Sequence, residues 1–352
     1  MLVGIDLFAG VGGMSTGAVQ AGIDVRFAVE RDKRAANAYR MNHPDCEIFV
    51  GDIRSLTSRK IKQIPRGSSG TVVFGGPPCQ GFSYSNTRTR LAHNENNWLF
   101  EEFVRVVRLW LPDFVVFENV QGITNTSGGL FLEAVLDRLA RLKYTLTYGV
   151  LNAAHFGVPQ NRNRFFLIGS RSNGEIPLPP QTSSTALTVR DALADLPVLG
   201  NGAATSWLPY SNNPPSHYAK RLRRNLTACS SHLVTKNSED VVARYRFVPP
   251  GGNWEDIPLE LMRNYRNRRL CHTGIYHRLS YDKPSVVIGN YRKNMLIHPT
   301  EDRGLSVREA ARLQSFHDST IFVGSIGFRQ QQVANAVPPL LASAVFRQLT
   351  LG

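Results

Sequence analysis

The sequence contains only four cysteines among its 352 residues, and none of them forms a closely spaced pair. This pattern suits a reducing compartment better than a disulfide framework, so we expect a cytoplasmic protein. No run of about 18 apolar residues appears, which argues against a membrane span. The first residues also lack a basic region followed by a long apolar stretch, so no secretory signal is expected.

Acidic residues are scarce relative to basic ones. The chain has 27 Asp and Glu against 41 Lys and Arg, which gives a net charge of +14. The surplus is uneven, because residues 201–300 hold 15 basic and 6 acidic residues whereas residues 101–200 hold 9 of each. A local basic surplus favours a polyanionic partner, since each neutralised phosphate releases counterions. A merely solvated basic surface is the alternative interpretation.

Short apolar runs alternate with amphipathic ones through the first half of the chain. Strands are predicted at residues 2–8, 23–30, 71–74, 113–118, 145–151 and 164–168. Helices are predicted at residues 13–21, 33–41, 98–111 and about 129–142. Such alternation predicts an α/β fold with a doubly wound, mostly parallel sheet.

The pattern breaks after Ser170. Residues 173–185 are rich in Pro, Ser and Thr and are typical of a linker, and residues 201–300 show no clean periodicity. Regular patterns return at residues 306–315 and 340–349. We therefore expect one large domain formed by residues 1–180 and 301–352, with a second, smaller, irregular and basic domain at residues 181–300.

A glycine-rich turn at residues 6–13 lies between the first strand and the first helix. Glycines there let the backbone approach a ligand, and Glu30, at the end of the next strand, can accept both hydroxyls of a ribose. The dinucleotide fingerprint fails, because Ser15 stands where it requires a glycine. A nucleoside without a pyrophosphate fits better, and Asp52 is placed to bind an adenine amino group. A purely structural glycine turn is the alternative.

A cysteine in a rigid loop is the second chemical element. Cys79 follows two prolines just beyond a predicted strand, where its thiolate can act as a nucleophile. Glu118 ends the following strand, so its carboxyl group is expected at the same edge of the sheet. Arg162 and Arg164 precede the next strand and supply guanidinium donors. A buried structural cysteine and a buried structural acid are the alternatives, but the three elements together predict a site.

These residues resemble the DNA cytosine-5 methyltransferase family, of the bacterial modification type, along nearly the whole chain. The matching blocks are residues 6–13, 30, 52, 75–83, 118–120, 160–164, 308–316 and 332–339. The resemblance implies a catalytic domain that binds S-adenosylmethionine and a target-recognition domain between Arg164 and Arg308. One departure is visible: Ala334 stands where the family usually has glycine.

The resemblance also implies residue roles. Cys79 would add to C6 of a flipped-out cytosine, Glu118 would act at N3, and Arg164 would hold O2. The remaining catalytic candidates are Arg162, which would support Arg164, together with Gln80 and Asn119. The residues expected to contact the cofactor are Asp6, Phe8, Ala9, Gly10, Gly12, Glu30, Arg31, Asp52, Ile53, Pro77 and Asn335.

DNA contacts are expected from two regions. The segment after the cysteine is typical of a lid that closes over DNA. The candidates are Ser83, Ser85, Arg88 and Arg90 in this segment and Arg223, Arg224, Arg268 and Arg292 in the basic domain. No metal site is predicted, because Cys229, His232, Cys271 and His272 have irregular spacing for zinc.

The expected partner is double-stranded DNA, bound by a monomer at the bacterial nucleoid, and a restriction endonuclease acting on the same site is a further candidate partner. Two alternatives stay open. One is an RNA cytosine-5 methyltransferase with the same catalytic blocks; the other is a catalytically silent DNA-binding protein on the same fold. The long basic insertion favours DNA over RNA, and the intact catalytic blocks favour an enzyme.

Overall fold

The computed structural model describes residues 1–78, 98–172, 174–182, 185–263, 274–289, 291 and 295–350. The chain divides into two compact units. The first unit comprises Met1–Phe156, Asn163–Thr182 and Val337–Gly352, and the second comprises Gly157–Arg162 and Ser183–Ala336.

The described strands and helices are numbered in chain order. The strands are β1 (Val3–Leu7), β2 (Asp24–Glu30), β3 (Glu47–Val50), β4 (Thr71–Gly75), β5 (Phe114–Val120), β6 (Thr145–Asn152), β7 (Asn163–Ser170), β8 (Trp207–Pro209) and β9 (Ala228–Ser230). The α-helices are α1 (Gly13–Gln20), α2 (Lys33–Asn42), α3 (Ser58–Gln63), α4 (Phe100–Trp110), α5 (Leu130–Arg141), α6 (Val189–Leu193), α7 (His217–Arg223), α8 (Glu239–Tyr245), α9 (Val307–Leu313), α10 (Ile326–Asn335) and α11 (Pro339–Arg347). Short 3₁₀ helices span Ile53–Ser55, Gln121–Thr124, Thr126–Gly129, Ala153–Phe156, Trp254–Asp256 and Leu259–Met262.

The first unit is built on a seven-stranded sheet in the order β3-β2-β1-β4-β5-β7-β6. Neighbouring strands from β3 to β5 are parallel, whereas β7 runs antiparallel to both β5 and β6. All five residues of β1 and of β4 are buried. Such continuous apolar runs are characteristic of parallel strands covered on both faces. The predicted doubly wound, mostly parallel α/β fold is confirmed.

Helices cover this sheet, and their sequences explain where they begin and how closely they pack. The Asp32 side chain caps α2 by accepting hydrogen bonds from the backbone N–H groups of Arg34 and Ala35. The α1 and α11 helices pack closely at Gly17, where a Cβ would lie 2.7 Å from the Pro339 carbonyl oxygen. The glycine therefore allows the C-terminal helix to pack directly against the first helix of the sequence.

The second unit has little regular structure in its described part and depends on buried arginines. Its two short strands, β8 and β9, pair antiparallel. The Arg312 guanidinium is fully buried and contacts Asp318 at 2.7 Å and Asp195 at 3.0 Å. Arg303 pairs in the same way with Glu309 at 2.7 Å. Charge-assisted bonds of this kind satisfy buried polar groups where helices and strands are short.

The C-terminal boundary of the second unit differs from the predicted one. The sequence predicts a return to the large domain at residue 301, but residues 301–336 belong to the second unit. Long-range bonds explain the difference: Arg312 on α9 pairs with Asp195, and Arg308 donates to the Ser230 carbonyl oxygen at 2.8 Å. The predicted boundary near residue 181 lies close to the observed one at Ser183.

Among the described residues, none of the helices is long and apolar enough to cross a membrane.

Candidate active site

The glycine-rich turn joins β1 to α1 and is open on one side. Phe8, Gly10 and Gly12 have positive φ angles of 63°, 57° and 89°, and Gly12 is the N-cap residue of α1. A Cβ on Gly10 would meet no atom within 4 Å. The left-handed backbone costs glycine little, and here it leaves room for a ligand against the main chain.

Glu30, the last residue of β2, is held against this turn. Its Oε2 accepts a hydrogen bond from Gly10 N at 2.9 Å, and its Oε1 accepts one from Asp32 N at 2.7 Å. Each carboxylate oxygen retains a second lone pair, so both can still accept from hydroxyl groups. The carboxylate is thus fixed in position with the acceptors that a ribose diol requires.

Asp52 follows β3 and caps the short helix Ile53–Ser55. Arg54 donates to Asp52 Oδ1 at 3.0 Å and to Oδ2 at 2.7 Å. This side-chain hydrogen bonding lowers the pKa of Asp52 to about 2, so the carboxyl group is an ionised acceptor at neutral pH. The side chain is 29% exposed, which leaves it accessible to the amino group of a ligand. Arg31 lies exposed nearby and adds positive charge, whereas Ile53 is buried.

Glu118 and Arg164 form a largely buried ion pair. The Arg164 Nε lies 3.0 Å from Glu118 Oε1, and the two side chains are 12% and 10% exposed. On the other side of the carboxylate, a Cβ on Gly76 would overlap Glu118 Oε2. Only glycine at position 76 therefore lets the carboxylate lie against the backbone that leads towards Pro77. The sequence alone did not reveal this role for Gly76.

Asn119 holds the main chain just ahead of the predicted nucleophile. Its Nδ2 donates to the Pro77 carbonyl oxygen at 3.2 Å, and its Oδ1 accepts from Val120 N at 2.9 Å. Asn119 and Pro77 are both buried. The amide of Asn119 is thus engaged in positioning the residues that precede Cys79.

Comparison with known proteins decides the family. A family model for C-5 cytosine-specific DNA methylases matches residues 2–351. The chain belongs to this family. It is 37% identical to the Type II methyltransferase M1.HphI of Haemophilus parahaemolyticus, over 97% of this chain and 84% of that protein. It is 32% identical to the Type II methyltransferase M.DdeI of Desulfomicrobium norvegicum, over 98% of this chain and 88% of that protein.

A solved structure agrees with this family. The crystal structure of a DNA modification methyltransferase encoded within an E. coli prophage superposes with a TM-score of 0.78 at 26% identity, and the match covers 99% of each chain. The protein is therefore a DNA (cytosine-5)-methyltransferase, and its methyl donor is S-adenosylmethionine, as in the rest of the family. The expected resemblance, activity and cofactor are confirmed.

Arg162, which the sequence predicts to support Arg164, lies in the second unit, and the predicted support stays a prediction. In this methyltransferase its side chain is buried within the second unit, where Nη1 donates to the Ile288 carbonyl oxygen at 3.0 Å. Its Nη2 donates to the carbonyl oxygens of Ala334 at 2.7 Å and Ala336 at 3.1 Å. These bonds join the segment that carries Arg162 to Ile288 and to residues 334–336, all in one unit. Arg162 therefore stabilises the fold of that unit. The departure at Ala334 lies at this junction.

Asn335 ends α10 in the second unit and is exposed. Its Oδ1 accepts a hydrogen bond from Gln331 Nε2 at 2.5 Å. The predicted contact of Asn335 with the cofactor stays a prediction.

Many of the predicted residues lie outside the part of the chain that the structure describes. These residues are Cys79, Gln80, Ser83, Ser85, Arg88, Arg90, Arg268 and Arg292. Their proposed roles rest on the sequence motifs and on the family.

Of the residues predicted to contact DNA, the structure describes Arg223 and Arg224, which differ in their exposure and in their hydrogen bonds. Arg223 donates to the carbonyl oxygens of Leu226 at 3.1 Å and Asn212 at 2.9 Å, and its guanidinium stacks 3.8 Å from the centre of the Tyr210 ring. It is therefore held within the second unit. Arg224 is exposed, and within the described part of the chain its guanidinium bonds to His317 at 3.3 Å, which leaves most of its donors accessible.

The cysteine and histidine considered for zinc pair with each other. Cys229 Sγ lies 3.3 Å from His232 Nε2, and both residues are buried. Within the described ranges, no group of three or more potential ligand side chains could hold a metal ion.

Proposed function

We propose that the first unit holds S-adenosylmethionine on the glycine-rich turn, with Glu30 on the ribose and Asp52 on the adenine. The open main chain at Gly10 and the two fixed carboxylates support this assignment. Phe8, Ala9, Gly12, Arg31, Ile53 and Pro77 would line the same site. When bound, the cofactor supplies a methyl group on a positively charged sulfonium, which is an electrophile.

The chain supplies the nucleophilic chemistry. Cytosine C5 is a poor nucleophile, so the Cys79 thiolate adds to C6 and converts the ring into an enamine that is reactive at C5. Glu118, as the carboxylic acid, donates its proton to N3 as negative charge develops there and recovers it when the sulfur leaves, and Arg164 holds O2. After methylation, a base removes the C5 proton, the C5–C6 double bond re-forms and the Cys79 sulfur leaves. The cytosine has to be flipped out of the duplex to reach these groups.

One observation carries this proposal: the buried Glu118–Arg164 pair, with Gly76 against the same carboxylate. The pair presents a carboxyl group and a guanidinium together: once protonated, the carboxyl group can donate to N3 of a base whose O2 the guanidinium holds. The backbone from Gly76 and Pro77 leads directly to Cys79.

A covalent trap tests the nucleophile. Fluorine at C5 cannot leave as a cation, so a duplex with 5-fluorocytosine at the target should form a denaturation-resistant adduct when S-adenosylmethionine is present. Cys79→Ser should form none, because a hydroxyl is far less ionised than a thiol near pH 7. An adduct on Cys46, Cys229 or Cys271 would overturn the assignment.

We also propose that the second unit recognises the DNA sequence. Its basic surplus and the exposed Arg224 support this role, because contacts to phosphates are made mainly by such side chains. The relatives M1.HphI and M.DdeI are Type II methyltransferases, which supports a place in a restriction-modification system with a partner endonuclease. On this proposal the protein acts as a monomer in the cytoplasm, at the nucleoid. Bisulfite sequencing of DNA from cells that express the chain tests the base, its position and the recognised motif together.

A further inference from the structure

A chain of buried hydroxyl groups lies behind the glycine-rich turn. Ser15 Oγ donates to Asp6 Oδ2 at 2.6 Å, and Tyr39 Oη lies 2.7 Å from the same Ser15 oxygen. Asp6, Ser15 and Tyr39 are each 1% exposed or less. Ser15 gives its one proton to Asp6, so the Tyr39 hydroxyl is the donor in the bond to Ser15; the same hydroxyl also lies 3.4 Å from Cys46 Sγ, a weaker acceptor that shares its proton. Tyr39 thus supports Ser15 in a fixed orientation.

The bond between Asp6 and Ser15 closes the turn. Asp6 lies near the end of β1, and Ser15 lies in the first helical turn of α1. The residues between them include Phe8, Gly10 and Gly12, whose positive φ angles shape the open side of the turn. A hydrogen bond across the two ends restrains a segment that four glycine or small residues would otherwise leave with much conformational freedom.

His43, beside Tyr39 at the end of α2, also packs against the glycine-rich turn. His43 follows Tyr39 by one helical turn, and the two ring centroids are 4.6 Å apart. A Cβ on Gly12 would lie 2.7 Å from His43 Cδ2 and 3.1 Å from Tyr39 Cδ2. Burial lowers the pKa of His43 to about 4, so the ring is neutral at physiological pH and packs there without a charge.

The other end of α2 contacts the predicted ribose acceptor. Asp32 caps this helix, and its backbone N–H donates to Glu30 Oε1 at 2.7 Å. The helix therefore contacts both Glu30 and the back of the glycine-rich turn. We propose that Tyr39 is a positioning residue for cofactor binding, which acts through Ser15 and Asp6 to hold the turn in the shape that S-adenosylmethionine requires. This inference rests on the cofactor site proposed above.

Tyr39→Phe tests the inference, because it removes the hydroxyl and keeps the ring and its contact with His43. The dissociation constant of S-adenosylhomocysteine, measured by calorimetry, should rise about fivefold, as expected for one buried hydrogen bond. The KM for S-adenosylmethionine should rise by the same factor, with kcat at saturating cofactor within about twofold of the wild type. Ser15→Ala removes the bond to Asp6 as well as the bond to Tyr39, so its shift should be at least as large. The double variant should match Ser15→Ala, since Tyr39 acts through Ser15.

Tyr144→Phe is the matched control. Its hydroxyl is also buried in the first unit and donates to the Pro112 carbonyl oxygen, 2.6 Å away, two residues before β5. This variant should lower the melting temperature without changing cofactor affinity. Equal losses of affinity in Tyr39→Phe and Tyr144→Phe would show general destabilisation and overturn the inference. So would unchanged affinity in both Tyr39→Phe and Ser15→Ala.

Glu30→Ala separates this inference from the site on which it rests. If Glu30→Ala weakens cofactor binding and the two hydroxyl deletions do not, the site stands and the positioning role of Tyr39 is wrong. If Glu30→Ala has no effect, the proposed cofactor site itself is wrong, and with it the inference.

Discussion

Gly76→Ala should strongly reduce methyl transfer while leaving cofactor binding nearly unchanged. The added Cβ would lie closer than 3.0 Å to Glu118 Oε2, a separation that real Cβ atoms essentially never show. The carboxylate oxygen has to move by about 1 Å to reach ordinary van der Waals contact. That movement disturbs the 3.0 Å bond between Arg164 and the other carboxylate oxygen, because the two oxygens belong to one rigid group.

The size of the effect follows from this displacement. A catalytic group misplaced by about 1 Å can reduce the rate on the order of 100-fold. We therefore expect kcat to fall by about that factor, whereas the dissociation constant of S-adenosylhomocysteine should stay within about twofold. Single-turnover transfer of a labelled methyl group to duplex DNA measures the chemical step, and calorimetry measures the binding.

Gly149→Ala provides the control, since that glycine lies in β6 of the same sheet and is also crowded. Its Cβ would meet Leu178 Cδ1 at 2.7 Å, but this atom is the end of a flexible side chain that can rotate away. Its kcat should stay close to that of the wild type. If Gly76→Ala kept kcat within about threefold of the wild type, or lost cofactor affinity to the same extent as kcat, the placement of Glu118 at the reacting base would be refuted.

Two further variants test the first unit. Glu30→Ala should weaken S-adenosylhomocysteine binding by about 1–3 kcal/mol, because two hydroxyl contacts to a charged acceptor are lost; calorimetry with unchanged affinity would remove Glu30 from the site. Burial raises the pKa of Asp6 to about 8, well above the value of 3.8 expected in the unfolded chain. The free energy of unfolding therefore falls by roughly 1.4 kcal/mol per pH unit as the pH rises from about 4 to 8. Asp6→Asn lacks this titration, so its melting temperature relative to the wild type should increase steadily between pH 5 and pH 8; a constant difference would show that Asp6 does not titrate in this range.

Local sequence patterns predicted the first unit well. The sequence predicts a helix at residues 33–41 and a strand at residues 71–74, and the structure has Lys33–Asn42 and Thr71–Gly75. Buried parallel strands and capped helices leave strong local signals, so their bounds follow from short windows of sequence. The placement of Glu30 at the end of a strand follows from the same pattern.

Long-range bonds explain what the sequence did not reveal. The inclusion of residues 301–336 in the second unit depends on pairs such as Arg312 and Asp195, which are 117 positions apart in the chain. The task of Arg162 depends on carbonyl groups 126 to 174 positions away. The residues next to these arginines in the sequence do not distinguish a guanidinium that binds buried carbonyl groups from one that faces a ligand.

The position of Arg164 beside Glu118 depends on a strand direction that the sequence did not predict. In a fully parallel sheet, a residue that precedes a strand lies at the opposite edge from residues that end strands. Here β7 runs antiparallel to β5, so its first residues return to the edge where β5 ends. Arg164 pairs with Val120, two positions from Glu118, and residues two apart on a strand share a face. A shift of the register by one residue would place Arg164 on the other face and leave the Glu118 carboxylate without this partner. The reversal of a single strand and its register therefore create the ion pair on which the proposed chemistry depends.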